Sequence, residues 1–165
     1  MPKITYVTSD GSRIDAEVEK GYSVMEGAIN NNVAGIVAEC GGLIYLSEGI
    51  RTVDGRFHKL CGVLPASCEM HPKRVALGYR QLTVTEDGPF GPTGTMLRGH
   101  EFRYSEVDRA ALSELPQPLT VTDRRGRPCA TDTYRVGNTW ASYAHLVVTE
   151  QLARHWVNHL AQMRV

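Results

Sequence analysis

The stretch Ile36-Val-Ala-Glu-Cys40-Gly-Gly-Leu-Ile-Tyr-Leu46 decides the fold of this chain. An apolar run leads into a cysteine that has small residues two positions away on either side, and a second apolar run follows. A strand that turns sharply at Cys40 and leaves as a helix would expose the thiol, since small residues at 38 and 42 avoid a clash across the turn. The pattern therefore predicts a nucleophile elbow. The same Ala-Glu-Cys-Gly-Gly letters also suit a loop around an iron–sulfur cluster, and the stretch alone leaves both interpretations open.

The bulk composition is that of an ordinary globular domain. Of 165 residues, 42% are hydrophobic and 22% charged, which favours a folded protein over a disordered one. Eighteen basic residues balance eighteen acidic ones, so net charge predicts no binding to nucleic acid or to a membrane surface. No apolar run approaches the roughly 20 residues of a membrane helix, and we expect no signal peptide. Four irregularly spaced cysteines indicate free thiols and a cytoplasmic location.

The first 35 residues read as two strands and a helix. Lys3–Thr8 and Arg13–Glu19 alternate apolar and polar residues, with turn-forming residues at 9–12 between them, which predicts a hairpin. A Ser-x-x-Glu capping box at 23–26 begins a short helix that ends in the asparagines at 30–32. The opening is therefore predicted to be ββα.

Residues 1–42 resemble the start of an adrenodoxin-type or bacterial ferredoxin, a β-grasp protein with a two-iron two-sulfur cluster. The residues that carry this resemblance are Pro2-Lys-Ile-Thr-Tyr6, Val24-Met-Glu-Gly-Ala28 and Glu39-Cys-Gly-Gly42. The resemblance makes Cys40 the first cluster ligand and places the next two ligands at positions 46 and 49, where this chain has Leu46 and Gly49. A cluster needs several thiolates from one compact loop. We therefore expect no cluster, no cofactor and no electron transfer.

A second set of motifs runs from Cys40 to the C-terminus, in order and with natural spacing: Glu39–Leu46, Asp54-Gly-Arg56, Gly62-Val-Leu-Pro65, Ala76-Leu-Gly-Tyr-Arg80, Gly91-Pro-x-Gly-Thr95, Arg98-Gly-His-Glu-Phe102 and Ala141-Ser-Tyr-x-His-Leu146. Together they resemble the second half of the class I glutaminase domain of cobyrinic (hydrogenobyrinic) acid a,c-diamide synthases. Enzymes of that family belong to cobalamin biosynthesis and use glutamine as the nitrogen donor to amidate two carboxylates of the corrin ring.

The glutaminase resemblance assigns roles to individual residues. A thiolate attacks the amide carbon of glutamine to release ammonia and leave a thioester, and a histidine moves the proton. By resemblance, Cys40 is the nucleophile and His145 is the base. Gly41 and Gly42 form the elbow, where the Gly41 amide donates to the oxyanion. A helix that begins after Cys40 would lower the pKa of the thiol.

Several features depart from the glutaminase family or stay open. The typical triad carboxylate lies two residues beyond the histidine, where this chain has Val147. The Gly-rich loop expected before the elbow is replaced by the ββα opening, so we expect impaired activity. There is no P-loop motif, so amidation needs an ATP-binding synthase domain as a partner. His100 and Glu101 either support the site or only pack. The other cysteines and histidines lack metal-ligand spacing, so we expect no metal.

The sequence thus predicts an α/β fold with two segments packed as one domain: a ferredoxin-like ββα segment (1–35) and a partial class I glutamine amidotransferase-like sheet with flanking helices (36–165). In the second segment, Ile36–Glu39 is expected to be a central strand. The other predicted elements are strands at Leu60–Leu64, Val75–Tyr79, Leu82–Thr85 and Thr95–Tyr104, a hairpin of Leu119–Thr122 with Tyr134–Val136 around the turn 123–126, and an amphipathic helix at Glu150–Met163.

These features describe a hybrid chain, natural or engineered as a chimera, whose two resemblances meet at Cys40. Half of a doubly wound sheet would expose an apolar edge and face, so we expect a homodimer. Three functions remain open at this point. The chain is a glutaminase with Cys40 and His145 as its reacting pair, or a non-catalytic module that keeps those residues without turnover. The third alternative is a ferredoxin-type electron carrier, which the missing cluster cysteines disfavour.

Overall fold

The computed structural model describes residues 2–7, 13–21, 27–28, 31 and 36–162. Within these ranges the fold is α/β and consists mostly of strands. The strands are β1 Lys3–Val7, β2 Arg13–Glu17, β3 Ile36–Glu39, β4 Ser47–Arg51, β5 Phe57–Lys59, β6 Leu64–Met70, β7 Ala76–Val84, β8 Met96–Arg103, β9 Ser105–Val107, β10 Leu119–Asp123, β11 Thr133–Val136, β12 Thr139–Ser142 and β13 His145–Leu146. The helices are α1 Gly41–Leu46 and α2 Glu150–Gln162.

The opening hairpin is confirmed. Strands β1 and β2 pair antiparallel, with Ile4 opposite Ala16, as alternation of apolar and polar residues dictates. Ala16 and Val18 bury their side chains. The predicted turn at 9–12 and the capping box at 23–26 lie outside the described residues. Gly27 and Ala28 are helical, and the Asn31 N–H donates to the Gly27 carbonyl oxygen over 3.2 Å, in agreement with the predicted helix of the ββα opening.

The elbow strand belongs to a three-stranded sheet with the order β11-β12-β3. Strand β12 pairs in parallel with β3, placing Val37 beside Trp140 and Glu39 beside Ser142. In the described part of the chain β3 has β12 as its one partner, so the prediction of a central strand at Ile36–Glu39 is wrong. All four residues of β12 are buried, whereas those of β3 are partly buried, and the better covered strand takes the central position.

A second sheet, with the order β10-β7-β8-β13, lies beside the elbow. The predicted strand at Thr95–Tyr104 is confirmed as β8. The two strands expected at Val75–Tyr79 and Leu82–Thr85 are in fact the single strand β7. Its pairing with β8 is uninterrupted, from Ala76 opposite Arg103 to Thr83 opposite Met96. The polar residues Arg80 and Gln81, which separate the two apolar runs, lie inside this strand.

The strand predicted at Leu60–Leu64 is also wrong, since β6 begins at Leu64 and runs on through Pro65. In the parallel pairing of β4 with β6, the register shifts between Ser47 and Gly49. Pro65 lies in β6 where this register shifts, and a proline without an N–H is tolerated at such an irregularity. The proline therefore does not end the strand.

The predicted hairpin of Leu119–Thr122 with Tyr134–Val136 does not form. The turn itself is present, since the Gly126 amide donates to the Asp123 carbonyl oxygen over 2.9 Å. However, β10 pairs with β7 and β11 pairs with β12. After the turn, the backbone of the chain hydrogen-bonds to β10 as far as Cys129, whose amide donates to the Val121 carbonyl oxygen. The chain then leaves for the other sheet, where burial of Tyr134 outweighs local pairing.

Two hydrophobic cores hold these sheets together. The first lies under α1 and includes Leu43, Leu46 and Tyr143. The second lies between the β7–β8 sheet and α2, which buries Leu152 and partly buries Trp156; the predicted C-terminal amphipathic helix is thereby confirmed. Among the described residues, neither helix is long and apolar enough to cross a membrane.

Candidate active site

The backbone at Cys40 has the geometry of an elbow. Strand β3 ends one residue before it and α1 begins one residue after it. Its φ of 50° and ψ of −105° make Cys40 the one non-glycine residue with positive φ in the described ranges, and such strain is typical of functional turns. A Cβ on Gly42 would lie 3.0 Å from the Cβ of Ala38, so the turn needs small residues at these positions.

Two strands hold Cys40 in place. Its backbone N–H donates to the Ser142 carbonyl oxygen over 2.7 Å, at the end of β12. Its Sγ lies 4.0 Å from the Phe102 carbonyl oxygen, at the edge of β8. The thiol therefore lies between the ends of two sheets rather than in a core.

His145 lies beside β8, the strand that the Cys40 thiol also approaches. Strand β13 pairs antiparallel with β8, so that His145 is opposite His100, and the two imidazole rings stack with centroids 4.9 Å apart. A Cβ on Gly99 would clash with the His145 backbone carbonyl, and glycine at this position lets β13 approach. The sequence had left open whether His100 supports the site, and the structure places it against the candidate base.

Glu39 joins the two candidate reacting residues. One carboxylate oxygen, Oε1, accepts the Leu146 N–H over 3.0 Å, and the other, Oε2, lies 4.0 Å from the Nδ1 of His145. Val147, at the typical triad position, is 56% exposed. Sequence reasoning missed Glu39 as a partner of His145, because no pattern along the chain links residue 39 to residues 145 and 146.

A buried network of charges lies behind the thiol. Glu101 accepts from the Nε of Arg80 over 2.6 Å and lies 3.6 Å from the Nε of Arg103. Arg103 in turn donates to Asp132 over 3.1 Å, and Arg109 donates to the same carboxylate over 2.7 Å. Glu101 therefore packs in an ion-pair network. Sequence reasoning missed Arg103 and Asp132, although the alternation along β8 places Arg103 on the buried face.

The pKa of the Cys40 thiol corrects one expectation. Burial of the thiol raises its pKa, and this outweighs the lowering by the Gly41 backbone N–H and by the positive charge of Arg103. The carboxylates of Glu101 and Glu39 raise the pKa further. The predicted lowering at the start of α1 is present in the Gly41 N–H, but burial of the thiol outweighs it.

A cavity beside β8 is a separate feature. It has a volume of about 560 Å³ and lies between β8 and α2, with Phe90, Leu97 and His155 in its wall. Neither Cys40 nor His145 lines this cavity, so the candidate site is the elbow and its strand edge.

Comparison with known proteins identifies the family of this elbow. The CobB/CobQ-like glutamine amidotransferase domain matches residues 11–153. The chain belongs to that family. A cobyrinate a,c-diamide synthase of Syntrophotalea carbinolica is 45% identical over 111 residues, which are 67% of this chain and 24% of the relative. The same-named protein of Leptospira interrogans is 34% identical over 124 residues, 75% of this chain and 26% of the relative.

A third relative, from Streptococcus sanguinis, has the same name and is 35% identical over 131 residues, 77% of this chain and 28% of the relative. The chain thus spans about a quarter of the length of these relatives. The amidotransferase match begins at residue 11, within the segment that resembles a ferredoxin. The ferredoxin origin of residues 1–35 and the hybrid nature of the chain stay predictions.

Proposed function

We propose that the chain is the glutaminase part of a cobyrinate a,c-diamide synthase and hydrolyses glutamine to glutamate and ammonia. The observation that supports this most is the connection between Glu39 and the segment 145–146, because it ties the residue before Cys40 to the strand of His145. A strained cysteine and a histidine that share the edge of β8 are the two parts that a thiol amidohydrolase needs.

The proposed reaction begins with transfer of the Cys40 thiol proton to His145. The thiolate attacks the amide carbon of glutamine, and the carbonyl oxygen becomes an oxyanion that the Gly41 N–H stabilises. His145 returns the proton to the nitrogen as ammonia leaves, giving a γ-glutamyl thioester. Water, deprotonated by the same histidine, then cleaves the thioester to glutamate and regenerates the thiol.

We propose that turnover by these 165 residues is slow. The family resemblance places a Gly-rich loop with a second oxyanion donor before the elbow, where this sequence has its opening hairpin. Loss of one oxyanion donor costs about 10²–10³ in kcat. The raised pKa of Cys40 adds to this, since fewer molecules carry a thiolate near neutral pH.

Trapping of the thioester tests this function. Hydroxylamine competes with water for the acyl group, and we expect γ-glutamyl hydroxamate to form from glutamine with the unaltered chain. Cys40→Ser and His145→Asn should each reduce it to background. Equal hydroxamate formation by the Cys40→Ser variant contradicts the proposal and favours a non-catalytic module.

Amidation of a corrin carboxylate requires more than this domain. The relatives are named as cobyrinate a,c-diamide synthases, and they are about four times as long as the matching region. We propose that an ATP-binding synthase domain, in the same protein or as a partner, activates the carboxylate and receives the ammonia. Ammonia release by this chain alone therefore needs no ATP.

We further propose that the chain forms a homodimer through the outer face of the β7–β8 pair. Leu77, Tyr79 and Phe102 are 57%, 77% and 48% exposed on that face, and Leu77 lies opposite Phe102. Exposed apolar groups on paired strands favour association. Light scattering at micromolar concentration should give twice the chain mass, and Tyr79→Lys should shift it to the monomer. A monomer before substitution contradicts the proposal.

A further inference from the structure

The carboxylate of Glu39 lies next to the ring of His145, which has no carboxylate two residues further along the chain. The residue two positions beyond His145 is Val147, an exposed apolar residue that can orient no imidazole. Glu39 approaches the same ring from the opposite chain segment, with Oε2 at 4.0 Å from Nδ1. We propose that Glu39 is the positioning residue of this site, holding His145 with its proton on Nδ1. This inference rests on the proposed glutaminase function.

The other carboxylate oxygen fixes where Glu39 points. Oε1 accepts the backbone N–H of Leu146 over 3.0 Å, so the side chain cannot turn away from β13 without losing that hydrogen bond. Oε2 is thereby aimed at the Nδ1 of the preceding residue. A side-chain movement of about 1 Å brings Oε2 to hydrogen-bond distance from Nδ1. Catalytic hydrogen bonds are often long before substrate binds.

The consequence concerns the tautomer of His145. A carboxylate is an acceptor only, so the nitrogen that faces it carries the hydrogen. The proton on Nδ1 leaves Nε2 with a free lone pair, which is the nitrogen that takes the Cys40 proton. When His145 becomes positively charged, Glu39 stabilises that charge. His100, whose ring stacks on that of His145 with centroids 4.9 Å apart, restricts its rotation.

Glu39→Gln separates this role from a merely structural one. The amide oxygen of glutamine still accepts the Leu146 N–H, so the anchor of β13 is retained. The amide NH₂ then takes the place of Oε2 and donates toward Nδ1, which favours the hydrogen on Nε2 instead. A neutral amide thus inverts the tautomer and blocks the base, as the amide substitution of a triad carboxylate does in serine proteases.

The test is the tautomer together with the kinetics. Two-bond ¹H–¹⁵N correlation spectra of the neutral imidazoles, with the His145→Gln spectrum for assignment, should show hydrogen on Nδ1 in the unaltered chain and on Nε2 in Glu39→Gln. We expect kcat to fall about 10²-fold in Glu39→Gln with KM unchanged. Glu39→Asp keeps an acceptor-only group and should retain the Nδ1–H tautomer, with kcat between the two.

Ammonia release tests the proposed glutaminase function, and the tautomer of His145 tests the role of Glu39, so either proposal can fail without the other. If the unaltered chain releases no ammonia but Glu39→Gln inverts the tautomer, the glutaminase proposal is wrong and the positioning role of Glu39 holds. If the chain releases ammonia and Glu39→Gln changes neither kcat nor the tautomer, Glu39 only anchors β13 and the inference is overturned.

Discussion

The backbone N–H of Cys40 donates to the carbonyl oxygen of Ser142 over 2.7 Å. This bond continues the parallel pairing of β3 with β12 by one residue, into the turn itself. The chain after Ser142 needs only three residues to reach His145. The register of a single strand pair therefore determines where the candidate nucleophile and the candidate base lie relative to each other.

The elbow should tolerate a methyl group at one glycine and not at the next. A Cβ on Gly42 would lie 3.0 Å from the Cβ of Ala38, so Gly42→Ala should lower the free energy of unfolding by about 1–3 kcal/mol through overpacking. Gly41→Ala is the matched control, since a Cβ there meets nothing within 4 Å and alanine favours a helix. Urea unfolding measures both, and equal destabilisation would mean that close approach at 42 is not the cause.

Cys40 should require a higher pH for alkylation in the folded chain than in the unfolded chain. Burial raises the pKa of the thiol, so its thiolate fraction at neutral pH is smaller than that of a free cysteine. Alkylation of Cys40 by iodoacetamide, followed by peptide mass spectrometry, should reach half its maximal rate at a higher pH than in the urea-unfolded chain. A lower half-maximal pH in the folded chain would show that helix α1 outweighs burial.

The charge network behind the thiol should be costly to break. The Asp132 carboxylate is 1% exposed and pairs with Arg103 and Arg109, so Asp132→Asn leaves the buried Arg103 guanidinium with only its longer pair to Glu101, at 3.6 Å. We expect a loss of about 3 kcal/mol in the free energy of unfolding. Glu150→Gln removes one partner of the exposed pair with Arg154 and should cost less than about 1 kcal/mol. Similar losses in both variants would contradict the role of burial.

Acid should destabilise the packing of α2 through His159. Burial, and then the neighbouring His155, lower the pKa of His159, whose ring meets Trp140 edge-on at 5.9 Å. The unfolded chain binds this proton first as the pH falls, so stability is full above about pH 6.5 and declines below it. Urea midpoints at several pH values should show this decline, and His159→Gln should reduce it. An unchanged slope in that variant would exclude His159 as the cause.

The sequence was sufficient for several features that depend on neighbours along the chain. The hairpin β1–β2, the elbow at Cys40, strand β8 and helix α2 all follow from local periodicity and small-residue spacing. Long-range pairing was not predictable in the same way. The turn at 123–126 is real, yet β10 and β11 pair with different sheets, because burial of residues far apart in sequence decides strand partners.

The candidate site also combines residues that the sequence predicted with a contact that only the tertiary structure shows. Family resemblance pointed to Cys40 and His145, and the structure places both against β8. Glu39 was not predicted as a partner of His145, since no local pattern shows that a glutamate at 39 meets residues 145 and 146. That contact arises only when β3 and β13 fold to the same edge, so it needs the tertiary structure.

Ammonia release from glutamine tests the central claim most directly. The unaltered chain should release ammonia slowly, without ATP and in proportion to its concentration, while Cys40→Ala, folded to the same extent by circular dichroism, should release none above background. Equal rates for the two proteins would contradict the assignment of Cys40 as the nucleophile of a glutaminase.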